Sequence, residues 1–378
     1  MAIRAQPRPG NLRWPPQDPV LLLLTVLLPL GGVVMVASAR IPAVLGQGSS
    51  FDDDTFQQML FALVGLVLAI GVSAIDYQRW ERLAPLALAS SWLLLIGVYF
   101  FSNAPASVAA RRWFVLGDFT VQPSEFAKIA LILALARLAK IAGARIQNWR
   151  VGLLAGGGLL IAVIVPVLAE PDLGTAITMT VVGLSMLFVA GARLHHIAAL
   201  PIVALAAGLL SVLVHEYQRS RVLAFITRDP DVANTGYQAA QAKIALGAGG
   251  ITGTGLGAGT QKFLLPVPDS DSIFAVIGEE FGIVGTGMVL LLFVALFAQG
   301  IRIAHATQDP FGQLLAVGIV TQLTFQAFVN MGVVTGLIPV TGLTLPFVSL
   351  GGSSLITSML MMGMLLNVAR KSALRQRE

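Results

Sequence analysis

Four carboxylates crowd the stretch PVPDSDSIFAVIGEEFG, Pro266 to Gly282: Asp269, Asp271, Glu279 and Glu280. A carboxylate whose pKa is lifted by partial burial makes a better general base than a solvated one. A second set lies in RRWFVLGDFTVQPSEFAKIALILALARLAK, where Glu125 and Lys128 are three apart, share one helical face and can pair. Arg111, Arg112 and Trp113 stand just upstream. A third set is EYQRSRVLAFITRDP, whose Arg219 and Arg221 carry planar forks suited to phosphate oxygens, in a substrate or in phospholipid headgroups. Lys262 closes the glycine-rich run GGITGTGLGAGTQK. Each set also has a structural reading. Ser270 or Asp271 would cap a helix, Glu125 and Lys128 would tie packed helices together, and Trp113 would sit in an interfacial belt.

The elements that hold these residues are membrane-spanning. Of 378 residues, 56% are hydrophobic and 11% charged, and mean hydropathy is +0.81. Soluble domains carry roughly a quarter charged residues. Cysteine is absent, which excludes disulfides and thiol chemistry, and the four histidines lack metal-ligand spacing. Apolar runs near the ~20 residues a span needs predict an all-α, polytopic integral membrane protein of ten transmembrane helices. They fall at about 19–39, 56–75, 83–101, 123–142, 151–169, 173–191, 196–214, 272–300, 310–336 and 348–369.

The basic residues flanking alternate ends put both termini in the cytoplasm, with 1–18 and 370–378 as tails of a single domain. A large extracytoplasmic loop, 215–271, then separates helices seven and eight. Within it, GYQAAQAKIALGAGG reads as a short interfacial helix closed by glycine. The glycine-rich run is no dinucleotide motif, because no strand precedes it. The net charge of +5 is a matter of membrane orientation, and no nucleic-acid partner is expected. The polar start of helix eight is expected to line a wet outward cavity. The prolines and glycines of NMGVVTGLIPVTGLTLPFVSLGGSSLI require irregular backbone, which a membrane tolerates only inside protein or beside a cavity.

Six segments together resemble the SEDS family, the RodA, FtsW and SpoVE proteins. They are RRWFVLGDFTVQPSEFAKIA, EPDLGTA, RVLAF followed by GYQ, GAGGITGTGLGAGTQKFLLP, SDSIFAVIGEEFGIVG and GLIPVTGLTLPFVSLGGSSL. The resemblance implies a peptidoglycan glycosyltransferase of the cytoplasmic membrane that polymerises lipid II, the undecaprenyl-pyrophosphate-linked disaccharide-pentapeptide. It implies a class B penicillin-binding protein as partner, with other divisome or elongasome proteins and membrane lipids around it. The family's essential aspartate falls on Asp271, and its tryptophan, acid, lysine and arginine fall on Trp113, Glu125, Lys128 and Arg221. Arg112 and Lys262 join them as substrate-binding candidates, with Asp269, Glu279 and Glu280 as secondary ones. A divalent cation, magnesium or manganese, is a candidate cofactor, and no organic cofactor is expected. The chain departs from the pattern with Glu170 where glutamine often stands, Asp269 where histidine is common, and Leu350 where tyrosine is frequent. The segments around the first and ninth spans look more like the FtsW branch than the RodA branch. The rival readings are a lipid II flippase and a scaffold that recruits the penicillin-binding protein.

Overall fold

The computed structural model describes residues 18–42, 45, 53–102, 112–117, 119–227 and 235–375. Arg111, Arg228, the tail before Asp18 and the last three residues lie outside them.

All ten expected runs are helical. They form α1 (Pro19–Ala39), α2 (Asp53–Ala74), α3 (Tyr77–Phe101), α4 (Pro123–Ala142), α5 (Gly158–Ala169), α6 (Leu173–Val189) and α7 (Leu194–Val214) in the first two thirds. A π-helical stretch, Arg150–Gly157, leads directly into α5. The segment 215–271 adds α8 (Glu216–Thr227) and α9 (Thr235–Gly249), and the chain ends with α10 (Ile273–Ala306), α11 (Pro310–Val334) and α12 (Gly352–Arg375). A two-stranded hairpin, β1 (Phe114–Leu116) with β2 (Phe119–Val121), pairs Phe114 with Val121 and precedes α4. Eight helices among the described residues are long and apolar enough to cross a membrane, counting Arg150–Ala169 as one. Of the other two expected spans, α6 is a shorter apolar helix, and α4 carries Glu125, Lys128, Arg137 and Lys140.

Polarity decides which helices are central. In α11 and α12, 83% of the apolar stretch is buried inside the protein, against 11% in α7. The central helices carry Gln322, Gln326, Asn330 and Thr357, all buried, because hydrocarbon cannot satisfy an amide or hydroxyl and a neighbouring helix can. Pro123 opens α4 where the missing N–H costs nothing.

Charged pairs gather at one end of the bundle. Arg302 reaches Asp18 at 2.7 Å, Lys140 reaches Glu81 at 2.7 Å and Asp309 at 3.2 Å, and Lys371 pairs with Asp76. The opposite end holds the hairpin, the segment 215–271 and the irregular run 335–351.

Helix α10 breaks at Gly282, whose φ of +63° and ψ of −156° are open to glycine. A Cβ there would stand 2.3 Å from the Ile251 carbonyl oxygen. The glycine-rich run folds over this break and takes up its freed groups. Ile283 N–H donates to Gly250 O at 3.0 Å, while Thr254 N–H donates to Glu279 O, also at 3.0 Å. The first third of α10 is therefore covered by protein and does not line a wet cavity. Glu279 and Glu280 are 1% and 0% exposed.

Candidate functional site

A cavity of about 400 Å³ opens among five segments at the end of the bundle away from the clustered charges. The approach to α4 supplies Arg112, Trp113, Gln122 and Glu125. The α5–α6 corner supplies Asp172 and Thr175, and α8 supplies Tyr217 and Arg221. Ser270 and Asp271 come from the loop before α10. The irregular run and the start of α12 add Gly342, Thr344, Ser353 and Ser354.

Asp271 is held by its backbone. Asn330 of α11 donates through Nδ2 to Asp271 O at 3.0 Å and to Leu343 O at 2.7 Å. Ser349 Oγ donates to Ser270 O at 2.7 Å, and Leu350 N–H to Asp269 O at 2.8 Å. The loop is thus stitched to the irregular run, which leaves the carboxylate side chain to the cavity. Ser270 Oγ donates to it at 3.1 Å. The helix cap is Ser272, whose side chain makes no capping bond and instead accepts from Gln238 Nε2 at 3.1 Å, so neither Ser270 nor Asp271 caps α10. Burial pushes the Asp271 carboxyl above its ordinary value, and Arg221, Ser270 and Arg112 oppose the rise. Gly342 leaves open the space beside it: a Cβ there would lie 3.1 Å from Arg221 Nη1 and 3.6 Å from Asp271 Oδ2, and its φ is +77°.

Two guanidinium groups face that carboxylate. Arg221 lies 4.3 Å from the centre of the Tyr217 ring and donates to the Tyr217 hydroxyl, while Arg112 lies 5.9 Å from the same ring. Tyr217 is one turn before Arg221 on α8, so the ring and fork share a face. Arg112 also stands 3.8 Å from Asp172. Asp172 is fixed in turn by Thr175 N–H at 3.1 Å, Thr175 Oγ1 at 2.9 Å and Gln122 Nε2 at 3.1 Å.

The candidates divide into three groups. Asp271, Arg221, Arg112, Trp113 and Glu125 converge on the cavity. Lys128 lies behind its wall: Nζ donates to Glu125 Oε1 at 2.7 Å and Gln326 Oε1 at 2.9 Å, and Thr357 Oγ1 reaches the other Glu125 oxygen. Lys262, Glu280, Glu279 and Asp269 lie elsewhere. Lys262 donates to Glu280 at 2.9 Å, Gly257 O at 2.9 Å and Ser38 at 3.2 Å, which uses all three of its N–H groups. Glu279 accepts from the N–H groups of Thr260 and Gln261 at 2.6 and 2.8 Å. Asp269 accepts from Arg40 at 3.2 Å. These four side chains tie the segment 215–271 to the end of α1 and to α10, through partners that sequence spacing does not reveal. Sequence reasoning missed Asp172, Tyr217, Gln122 and Thr175. The i, i+4 spacing of Tyr217 and Arg221 and the Asp–x–x–Thr cap of α6 were the available signals.

A polytopic helical membrane protein with an acid facing two arginines in an end-on cavity is the class the coordinates define. The chain belongs to the FtsW/RodA/SpoVE family of cell cycle proteins, whose model matches residues 19–374. It is 41% identical over 357 residues to a probable peptidoglycan glycosyltransferase FtsW of Geobacter metallireducens, covering 94% of this chain and 95% of that one. It is 38% identical over 359 residues to the stage V sporulation protein E of Bacillus subtilis, covering 94% and 97%. Among solved structures, a chain of a peptidoglycan synthase complex that coordinates polymerization and crosslinking superposes with a TM-score of 0.78 at 30% identity, over 95% of this chain and 99% of that one. The rod shape determining protein RodA of Thermus thermophilus superposes with a TM-score of 0.70 at 29% identity, over 95% and 98%.

Proposed function

We propose that this chain is a peptidoglycan glycosyltransferase that joins lipid II units, with Asp271 as general base. The carrying observation is the cavity itself, which sets one carboxylate of raised pKa against two guanidinium groups. Asp271 takes the proton from the 4-hydroxyl of the acceptor sugar as that oxygen bonds to the donor's anomeric carbon. The bond from that carbon to the diphosphate breaks, and its electron pair leaves with the undecaprenyl pyrophosphate. Arg221 and Arg112 hold the charge that grows there, in surroundings where water screens little. Trp113 offers a flat apolar face to a sugar ring. Lys128 acts through Glu125, keeping that carboxylate in place from behind the wall.

A divalent cation fits the donor set in the manner usual for magnesium, one or two carboxylates together with substrate phosphates. Asp271 and Asp172 are the cavity carboxylates that would hold it, and it would neutralise diphosphate charge. The bundle's two ends support an orientation. Lys140, Arg302 and Lys371 gather away from the cavity, which supports a cytoplasmic-membrane protein with both termini inside and the cavity outside. A class B penicillin-binding protein is the partner this reading calls for. The likeness to a chain of a synthase complex supports it.

The test is Asp271→Asn in purified protein with labelled lipid II in detergent, where transport is abolished and polymerisation is not. The expected loss is about 10²–10⁴-fold, with thermal stability retained. Polymerisation by the variant at the wild-type rate would remove Asp271 from the mechanism. Lack of polymerisation by the wild type, alone or with its partner protein, would favour a flippase.

A further inference from the structure

A second cavity, of about 370 Å³, adjoins the first and shares Arg221 with it. It lies between α8, α9 and the turn after α11. Ala224, Phe225, Ile338 and Val340 make much of its wall apolar, Lys243 of α9 adds a cation, and no carboxylate is among the described residues that line it. Lys243 differs from the other lysines of the chain. Lys128, Lys140, Lys262 and Lys371 are each paired with a carboxylate. Lys243 is exposed and has no hydrogen-bond or ion-pair partner among the described residues. Its stem crosses the turn at Gly336 closely, since a Cβ there would fall 2.0 Å from Lys243 Cε. The ammonium is therefore placed by the turn and left without an anion.

We propose that this second cavity binds the diphosphate of the acceptor substrate, with Lys243 and Arg221 as its cations and the apolar wall receiving the start of the polyprenyl chain. The inference rests on the glycosyltransferase reading. Coupling two lipid-linked sugars requires two diphosphates to be held at once, and their positions are not equivalent. The donor's diphosphate is bonded to the carbon under attack, so it lies beside Asp271 with Arg112 and Arg221. The acceptor's reacting hydroxyl is on the sugar remote from its diphosphate, so that diphosphate lies a disaccharide away from the base. A neighbouring cavity with an unneutralised lysine, across the shared arginine, meets that requirement. Arg221 then touches both diphosphates and sets their separation.

The experiment uses the full-length protein in neutral detergent, with its partner protein where polymerisation requires it. Two probes are compared: lipid II itself, and an analogue epimerised at the terminal 4-hydroxyl, which can serve as donor and not as acceptor. Lys243→Gln raises the KM for lipid II about tenfold, the scale of one lost charge-assisted phosphate contact. It leaves kcat within about twofold, and Lys243→Arg restores most of the affinity. The donor-only analogue inhibits the Gln variant as strongly as the wild type. An unchanged KM would assign Lys243 to phospholipid headgroups, and equal weakening of both probes would move it to the donor site. Either result overturns the proposal while leaving wild-type polymerisation, and with it the glycosyltransferase reading, intact.

Discussion

Removing Lys262 separates a structural role from a substrate role with a single side chain. Its ammonium is completely buried against Glu280, and its three N–H groups are met by Glu280, Gly257 and Ser38. Ser38 also donates to Glu280, at 2.6 Å. Lys262→Met keeps most of the stem's volume and strands the Glu280 carboxylate, which is fully buried. Breaking a buried pair from one side costs about 3–5 kcal/mol, or about two to three and a half powers of ten in the folded-to-unfolded ratio. Replacing both partners, Lys262→Met with Glu280→Leu, removes the stranded charge and should recover most of that loss. Thermal unfolding in detergent reads the stability of the two single variants and the double variant, and polymerisation is scored per folded molecule. The expected pattern is a large loss in each single variant, a small one in the double, and nearly constant activity per folded molecule in all three. A Lys262→Met protein as stable as the wild type, with weakened lipid II binding, would refute the structural assignment and return Lys262 to the substrate path.

Further tests follow from the cavity and the kink. Because burial lifts the Asp271 pKa and Arg221 opposes the rise, the acid limb of kcat/KM should lie above the ordinary carboxylate range. Arg221→Gln should move that limb to still higher pH, and an unmoved limb would detach Arg221 from the base. Glu170, 1% exposed, is pushed from its ordinary 4.5 up to about 9 by burial, with Asp172 adding to the rise. The folded chain therefore holds this proton more tightly than the unfolded chain, and stability is lost as pH rises from about 4.5 to about 9. Glu170→Gln should flatten that dependence and stabilise the protein at pH 7, as read by melting curves across the range. Gly282→Ala forces a left-handed backbone on a residue with a Cβ and drives that atom into the Ile251 carbonyl, so folded yield should collapse. Normal yield would deny the kink.

The segments that became helices were written in composition. Each apolar run near twenty residues is a helix because hydrocarbon leaves backbone groups no partner outside the helix itself. Pro123 at the start of α4 and the glycines after α9 likewise marked their boundaries locally. The Glu125–Lys128 pair was legible for the same reason, since three-residue spacing fixes a shared face.

The site was only half legible. Motif resemblance indicated Asp271, Arg221, Trp113 and Glu125, and the coordinates set all four around one cavity. Residue type and proximity in sequence gathered Lys262, Glu279 and Glu280 with them, and the fold buries these three against the glycine-rich run and one another. Asp172 and Tyr217, which hold the two arginines, drew no notice in the sequence. What the chain determined by itself was local: which stretches are apolar enough to be helices, and which neighbours share a helical face. What the tertiary structure decided was partnership. A buried charge is satisfied by whichever group the packing of distant segments brings within about 3 Å, as Ser38 and Glu280 meet across 242 positions. No periodicity encodes that distance.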